Sequence, residues 1–212
     1  MELINPLVQY YAERYTSEED VLLKEVHEFT LANHPEFHMV SGHLQGKLLE
    51  MISCMIAPQR ILEIGTFTGY SALCLARGLS HNGQLHTIEL READAFIARS
   101  FFDRSPFGGQ IISHTGKALD IIPGLPETWD LVFIDADKPA YIEYFNLVFP
   151  QLRKNGFILA DNIFFHGQVL KEEVKGKSAK GIMAFNDFVN ARKDIEKVVL
   201  TVRDGLYLLR KL

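Results

Sequence analysis

Residues 61–71 read Ile-Leu-Glu-Ile-Gly-Thr-Phe-Thr-Gly-Tyr-Ser, an apolar run that passes through two glycines into a segment with helical character. The apolar run predicts a buried strand, and the glycines predict a tight turn where the backbone can approach a ligand closely. Ligands of open α/β sheets bind at the carboxyl ends of the strands. This stretch therefore predicts both a fold class and a binding site, with a ligand-free turn as the alternative.

Short apolar strands and helices alternate on the C-terminal side of this stretch. We expect strands at 60–64, 84–88, 111–114, 131–134, 157–160, 197–202 and 206–210, and helices at 71–79, 92–102, 118–122 and 141–152. Asp204-Gly205 between the last two strands favours a hairpin. The pattern predicts an α/β fold with about seven strands, a mostly parallel sheet covered by helices, and an antiparallel last strand.

The N-terminal part has a different pattern from the rest of the chain. Residues 1–58 are expected to form helices, one of which starts after Ser17-Glu18-Glu19-Asp20 and ends at Pro35. They would pack outside an α/β core formed by residues 59–212. A chain of 212 residues suits such a single domain.

The composition and the charge of the chain argue against nucleic-acid-binding and membrane-spanning proteins. The chain has 22 Lys and Arg against 27 Asp and Glu, a net charge of −5, which disfavours nucleic-acid binding. No signal peptide is evident and no apolar stretch is long enough to cross a membrane, so we expect a cytoplasmic protein without membrane association. Cys54 and Cys74 lie in apolar helical stretches, which predicts two buried, reduced thiols.

An acidic residue, Glu89, ends the second predicted strand, where a carboxylate can accept hydrogen bonds from both ribose hydroxyls of a nucleotide. A dinucleotide fold would need a second glycine where Phe67 stands, so that the backbone makes room for a pyrophosphate. S-adenosylmethionine has no phosphate and fits this turn better. Ala118, after the third strand, is small enough to let an adenine ring lie beside the backbone. An NAD-dependent oxidoreductase and a non-catalytic S-adenosylmethionine-binding module remain alternatives.

Oxygen-bearing side chains follow the fourth and fifth predicted strands. Asp135 ends the fourth strand, with Lys138 shortly after it, and Asp161 and Asn162 end the fifth. Neighbouring carboxylates repel each other unless a cation lies between them. An all-oxygen set suits Mg²⁺, with Mn²⁺ or Ca²⁺ as alternatives. Helix capping is the other use of Asp and Asn at such positions.

Segments 62–71, 134–138 and 161–167, together with 39–41 and 204–206, resemble the cation-dependent O-methyltransferases of the catechol and caffeoyl-CoA type. This resemblance implies a Rossmann-like fold with helices on both faces, S-adenosylmethionine as methyl donor and a divalent cation. It also implies transfer to a hydroxyl of a small catechol-like or phenolic acceptor, and a homodimer.

The same resemblance assigns roles by position. Metal ligands correspond to Asp135, Asp161 and Asn162, and catalytic residues to Lys138, as general base, and Asp135. Donor-binding positions correspond to Val40, Glu63, Gly65, Thr66, Ser71, Glu89, Ala118, Asp135 and Asp137, and acceptor-binding positions to Lys138, Asn162 and His166. The charged segment 168–181 is either a solvated loop or a cover over the acceptor.

Overall fold

The computed structural model of the protein describes residues 3–212. Its helices are α1 (Pro6–Arg14), α2 (Val21–Asn33), α3 (His43–Ile56), α4 (Tyr70–Ala76), α5 (Glu92–Phe102), α6 (Ala118–Ile121), α7 (Tyr141–Gln151) and α8 (Lys177–Ala191). Its strands are β1 (Arg60–Ile64), β2 (Gln84–Glu89), β3 (Ile111–Thr115), β4 (Trp129–Ile134), β5 (Leu152–Asp161), β6 (Ile195–Leu200) and β7 (Leu206–Lys211).

The seven strands form one sheet in the order β3-β2-β1-β4-β5-β7-β6. Strands β1 to β5 run parallel, whereas β7 is antiparallel to both β5 and β6. This confirms the predicted sheet and its antiparallel last strand. The chain reverses its direction of travel across the sheet between β1 and β4, and ligands bind at such switch points in open α/β sheets.

Both faces of the central strands are buried. Leu131 and Phe133 of β4 belong to the apolar cluster that holds α2 to α5, while Val132 and Ile134 belong to the cluster that holds α6 to α8. Strands covered on both faces need apolar residues at successive positions. That requirement explains why the central strands appear in the sequence as continuous apolar runs.

The N-terminal helices pack on one of these faces. Asp20 caps α2 by accepting a hydrogen bond from the backbone N–H of Leu23 at 2.8 Å, which confirms the predicted helix start. Val26 of α2 and Leu49 of α3 are fully buried in the same cluster as β1. The division of the domain at residue 58 stays a prediction. None of the helices within residues 3–212 is long and apolar enough to cross a bilayer.

Three local expectations are wrong. Strand β5 starts at Leu152, five residues before the predicted start at residue 157. The apolar pattern does not reveal this part of the strand, because Arg153 and Lys154 are exposed and interrupt it. Lys177 begins α8, so residues 177–181 of the charged segment 168–181 are helix rather than loop. Cys54 is exposed on α3, and only Cys74 is buried as expected.

Candidate functional site

The carboxyl ends of the central strands open into a cavity of about 1060 Å³, large enough for a cofactor together with a small substrate. It brings together most of the predicted site residues: Val40, Gly65, Thr66, Ser71, Glu89, Ala118, Asp135, Asp137, Lys138, Asp161, Asn162 and His166. Glu63 is the one predicted residue that does not line it. The cavity has two ends with different construction.

The first end is a backbone turn between β1 and α4. Gly65 has a φ of 104°, and a Cβ at this position would lie 2.1 Å from the carbonyl oxygen of Asp135. The backbone N–H of Gly65 donates to the carbonyl of Ile88 at 3.0 Å, which ties the turn to β2. Only a residue without a side chain allows this approach. The turn therefore lies close against β4 at the edge of the cavity.

Glu89 borders the same end. Its Oε2 accepts from the backbone N–H of Phe67 at 2.7 Å, and its Oε1 accepts from that of Arg91 at 2.9 Å. These bonds fix the carboxylate while each oxygen retains a free lone pair. A pair of vicinal hydroxyls can donate to those lone pairs, which is the geometry that recognition of a ribose needs.

Glu63 lies beneath the turn and is fully buried. Its Oε2 accepts from the hydroxyl of Thr87, and its Oε1 has no hydrogen-bond partner within the described chain. Burial raises the pKa of Glu63 to about 8. A cationic ligand above the turn would stabilise the ionised carboxylate, so the site fits a positively charged donor. Direct contact between Glu63 and the donor stays a prediction.

The second end is built from side chains that follow β4 and β5. Ile134 pairs with Ala160 across the two strands, so the next residues, Asp135 and Asp161, sit side by side on strands about 4.8 Å apart. Asp161 is only 1% exposed. Burial, with a smaller effect from the charge of Asp135, raises the pKa of Asp161 to about 6. Two carboxylates in this position gain stability from a shared cation.

Asn162 supplies an amide oxygen at the same place. It has a left-handed φ of 57° and lines the cavity beside both carboxylates. Within residues 3–212 no group of three or more His, Cys, Asp and Glu side chains forms a metal cluster. Two carboxylates and an amide are hard oxygen donors and fit Mg²⁺, which keeps open positions for water or substrate.

Lys138 is part of this second end. Its Nζ donates to Oδ1 of Asp135 at 2.8 Å and to the hydroxyl of Tyr141 at 3.0 Å. That hydroxyl in turn donates to the carbonyl of Asp161 at 3.1 Å. Burial opposes the charge on Lys138, but the charges and hydrogen bonds of Asp135 and Tyr141 together outweigh it and raise the pKa of Lys138 above its ordinary value. Lys138 is therefore protonated in this arrangement.

Two predicted residues sit nearer the mouth of the cavity. Asp137 accepts a hydrogen bond from the hydroxyl of Tyr144, which fixes its carboxylate. The side chain of His166 is 71% exposed, and its backbone N–H donates to Asp204 at 2.6 Å. No residue of the segment 168–181 lines the cavity, although Gly181 packs against the backbone at Lys138.

The structure adds three residues that the sequence analysis did not assign to the site. Gln45 of α3 donates from Nε2 to Oδ2 of Asp161 at 2.8 Å, and Arg203 donates to Oε1 of Gln45 at 3.3 Å. Asp204 accepts from His166 and, at 3.4 Å, from the side-chain amide of Asn162. Asp204 lies within the Asp204-Gly205 motif, whose sequence indicates only a turn. Gln45 carried no signal, because it is one polar residue in a helix 116 positions before its partner.

Comparison with protein families gives a match over residues 13–212 to a family described as O-methyltransferase. Among curated proteins, a catechol O-methyltransferase from Niastella koreensis is 33% identical over 94% of this chain and 91% of its own length. A caffeoyl-CoA O-methyltransferase from Petroselinum crispum is 30% identical over 97% of this chain and 90% of its own length.

Solved structures agree with these relatives. The O-methyltransferase from Bacillus cereus in complex with SAH has a TM-score of 0.89 and 30% identity, and each chain covers 97% of the other. The O-methyltransferase TomG from Streptomyces achromogenes in complex with SAM has a TM-score of 0.88 and 30% identity, covering 97% of this chain and 96% of that one. The likeness therefore extends over nearly the whole chain, including the sheet.

Proposed function

The protein belongs to the O-methyltransferase family, and on that premise we propose that it methylates a hydroxyl of a small catechol or related phenol with the help of a divalent cation. The family match and the SAM-bound and SAH-bound neighbours identify it as an S-adenosylmethionine-dependent O-methyltransferase. The resemblance to the catechol and caffeoyl-CoA enzymes is thereby confirmed. The cation and the phenolic acceptor are the proposed part.

One observation carries this proposal. Asp135 and Asp161 lie side by side at the ends of β4 and β5, in the cavity that Glu89 and Ala118 border from the other end. A methyl donor held by Glu89 and a cation held by the two aspartates would occupy one enclosed space. The acceptor hydroxyl can then be placed between them.

The first end of the cavity, with the turn at Gly65 and with Glu89, is the donor end. It would hold S-adenosylmethionine, which supplies a methyl group on a positively charged sulfur. The fixed carboxylate of Glu89 would hold the ribose hydroxyls, and the small side chain of Ala118, at the N-terminus of α6, would leave space for the adenine ring. Alignment of the methyl group with the attacking oxygen is worth about 7–11 kcal/mol in favourable cases. Rigid positioning by this end is therefore a large part of the rate acceleration.

The second end of the cavity, with Asp135, Asp161 and Asn162, is the acceptor end. It must favour the ionised form of the acceptor hydroxyl. A phenol with a pKa near 10 is ionised to about one part in a thousand at pH 7, a deficit of about 4 kcal/mol. A cation held by Asp135, Asp161 and Asn162 would supply the positive charge that favours the ionised form and orients two adjacent oxygens. His166 and Asn162, which both line the cavity, would contact the acceptor.

Lys138 is proposed as the proton acceptor, and the structure defines the condition for that role. Its ion pair with Asp135 raises its pKa, so Lys138 becomes a base only when another positive charge neutralises Asp135. The hydrogen bond to Tyr141 keeps Nζ in place through that change. Metal and positioning are therefore expected to contribute more than the base.

A turnover screen tests the proposed function. The purified protein would be incubated with S-adenosylmethionine and a panel of catechols and monophenols, with Mg²⁺, with EDTA, and with EDTA followed by excess Mg²⁺. We expect methylated catechol only when Mg²⁺ is present. Turnover that EDTA leaves unchanged would remove the cation from the mechanism, and donor binding without methylation of any acceptor would favour a non-catalytic module.

We also propose that the protein is a cytoplasmic homodimer that binds neither nucleic acid nor membranes. Support for a dimer comes from α1, whose apolar residues are exposed, with Leu7 at 77% and Tyr11 at 62%. The start of the same helix lines the cavity through Pro6 and Gln9. Light scattering on the protein and on Tyr11→Glu tests this, since we expect a dimer and a shift towards monomer; a monomeric wild-type protein would contradict it.

A further inference from the structure

We propose that Gln45 positions the carboxylate of Asp161 for the cation, and that Arg203 fixes the orientation of the Gln45 amide. This inference rests on the proposed function, which assigns Asp161 to the cation. It adds to that site two residues from opposite ends of the chain, the helix α3 and the loop between β6 and β7.

The carboxylate of Asp161 is held at both oxygens. Gln45, itself only 1% exposed, donates from Nε2 to Oδ2 at 2.8 Å, and the backbone N–H of Asn162 donates to Oδ1 at 2.8 Å. Two donors on opposite oxygens prevent rotation of the carboxylate about its terminal bond. Each oxygen keeps a lone pair for another ligand. The group is therefore presented to the cavity in one orientation.

Arg203 decides which way the Gln45 amide faces. A guanidinium only donates hydrogen bonds and a carboxylate only accepts them, whereas an amide has one end of each kind. With Arg203 donating to Oε1 at 3.3 Å and Asp161 accepting from Nε2, a flipped amide would lose both bonds. No carboxylate of the described chain lies within 4.0 Å of the Arg203 guanidinium, so the amide is not in competition with an ion pair.

A purely structural role for Gln45 does not need this arrangement. The neighbouring residues Leu49 and Ile52 of α3 are buried and apolar, so a leucine at position 45 would suit the same helix face. A leucine would leave Oδ2 of Asp161 buried without its donor. Groups that orient metal ligands in this way typically contribute 10-fold to 100-fold in metal affinity.

The test is a calorimetric titration of Mn²⁺ into the full-length protein and into Gln45→Leu, with donor binding measured in parallel. We expect Mn²⁺ to bind Gln45→Leu about 10-fold to 100-fold more weakly. Affinity for S-adenosylmethionine should change by less than about twofold, because the donor end does not depend on Gln45. The matched control is Gln110→Leu, which also loses side-chain hydrogen bonds, to the carbonyls of Ser80 and Gly83, but lies away from the cavity.

Arg203→Lys provides a second variant that retains the positive charge and loses the rigid guanidinium geometry. We expect it to weaken Mn²⁺ binding several-fold alone and to add nothing in the Gln45→Leu background, because Arg203 acts through Gln45. If Gln45→Leu does not fold, Arg203→Lys decides the question by itself.

The outcomes separate the two proposals. Normal Mn²⁺ binding by the wild-type protein together with unchanged affinity in the folded variants would overturn the positioning role alone. A wild-type protein that binds no Mn²⁺ and whose turnover resists EDTA would overturn the cation site and, with it, the role of Gln45. Equal losses in Gln45→Leu and Gln110→Leu would show a general effect on folding and would also overturn the proposal.

Discussion

The two ends of the cavity reach rigidity by different means. At the donor end the backbone fixes the geometry of the site. Gly65 allows the turn to approach the end of β4 closely, and two backbone N–H groups hold the carboxylate of Glu89. At the acceptor end side chains fix the geometry, since the carboxylate of Asp161 is held by Gln45, and Gln45 by Arg203. The donor end is encoded by short motifs at the ends of successive strands, whereas the acceptor end also requires single residues from distant parts of the chain.

This difference predicts how each end responds to change. Substitutions at the acceptor end should abolish methyl transfer but leave donor binding intact, because the hydrogen bonds that join Arg203, Gln45 and Asp161 do not extend to the donor end. Damage at the donor end should affect binding of the donor and stability together, because the turn is also a junction of β1, β2 and β4. The four variants below test that separation, in order of decreasing effect.

Asp161→Ala should have the largest effect. Loss of a cation that contributes about 4 kcal/mol to charge stabilisation would lower turnover about a thousandfold at saturating Mg²⁺. Donor affinity, measured by calorimetry, should stay near the wild-type value. Asp103→Ala, at an exposed carboxylate, is the control. Cation-dependent turnover that survives in Asp161→Ala would contradict the assignment.

Glu63 should make stability depend on pH. Its pKa in the folded protein is about 8, against 4.5 for a solvent-exposed glutamate, so the folded state holds the proton more tightly. The associated stability is fully present below about pH 4.5 and is lost as pH rises through 8. Relative to Glu63→Gln, the donor-free protein should therefore lose about 2.5 kcal/mol between pH 5.5 and 7.5. Urea unfolding of both proteins at these two pH values measures it, and parallel pH profiles would refute the shift.

Gly65→Ala should destabilise the protein and weaken donor binding at once. A Cβ here meets the Asp135 carbonyl oxygen at 2.1 Å, and φ is 104°, so we expect a cost of about 2 kcal/mol or more. Thermal unfolding and donor titration would both report it. Gly109→Ala is the matched control, because nothing lies within 4 Å of its added Cβ. A variant with normal stability and normal donor affinity would show that the turn can relax.

Glu89→Gln should have the smallest effect of the four. The amide keeps the side-chain volume but removes charge from the ribose-binding position, which we expect to weaken donor affinity about tenfold. Turnover at saturating donor should change little. Glu92→Gln, at an exposed residue of α5, is the control. Unchanged donor affinity would remove Glu89 from the site.

The same contrast explains what could be predicted from the sequence. The sheet and the turn were predictable, because buried parallel strands give continuous apolar runs and Gly65 and Glu89 stand at the strand ends themselves. The carboxylates of the acceptor end were predictable for the same reason. Their placement follows from the register of β4 with β5.

Other parts of the site were not predictable by these means. Gln45 and Arg203 contact the site only through tertiary structure, across 158 positions of sequence. The charge on Lys138 also depends on geometry, since its pKa reflects a contact with Asp135 that a residue pattern cannot show. The early start of β5 was not predictable either, because exposed polar residues follow Leu152, although Leu152 pairs with Trp129 of β4 in the sheet.

The most direct test of the central claim is anomalous diffraction from crystals grown with Mn²⁺, S-adenosylmethionine and a catechol. We expect one manganese peak within about 2.0–2.3 Å of an oxygen from each of Asp135, Asp161 and Asn162, beside the methyl group of the donor. A donor-bound cavity with no manganese at these three oxygens, in crystals of protein that still methylates the catechol, would contradict it.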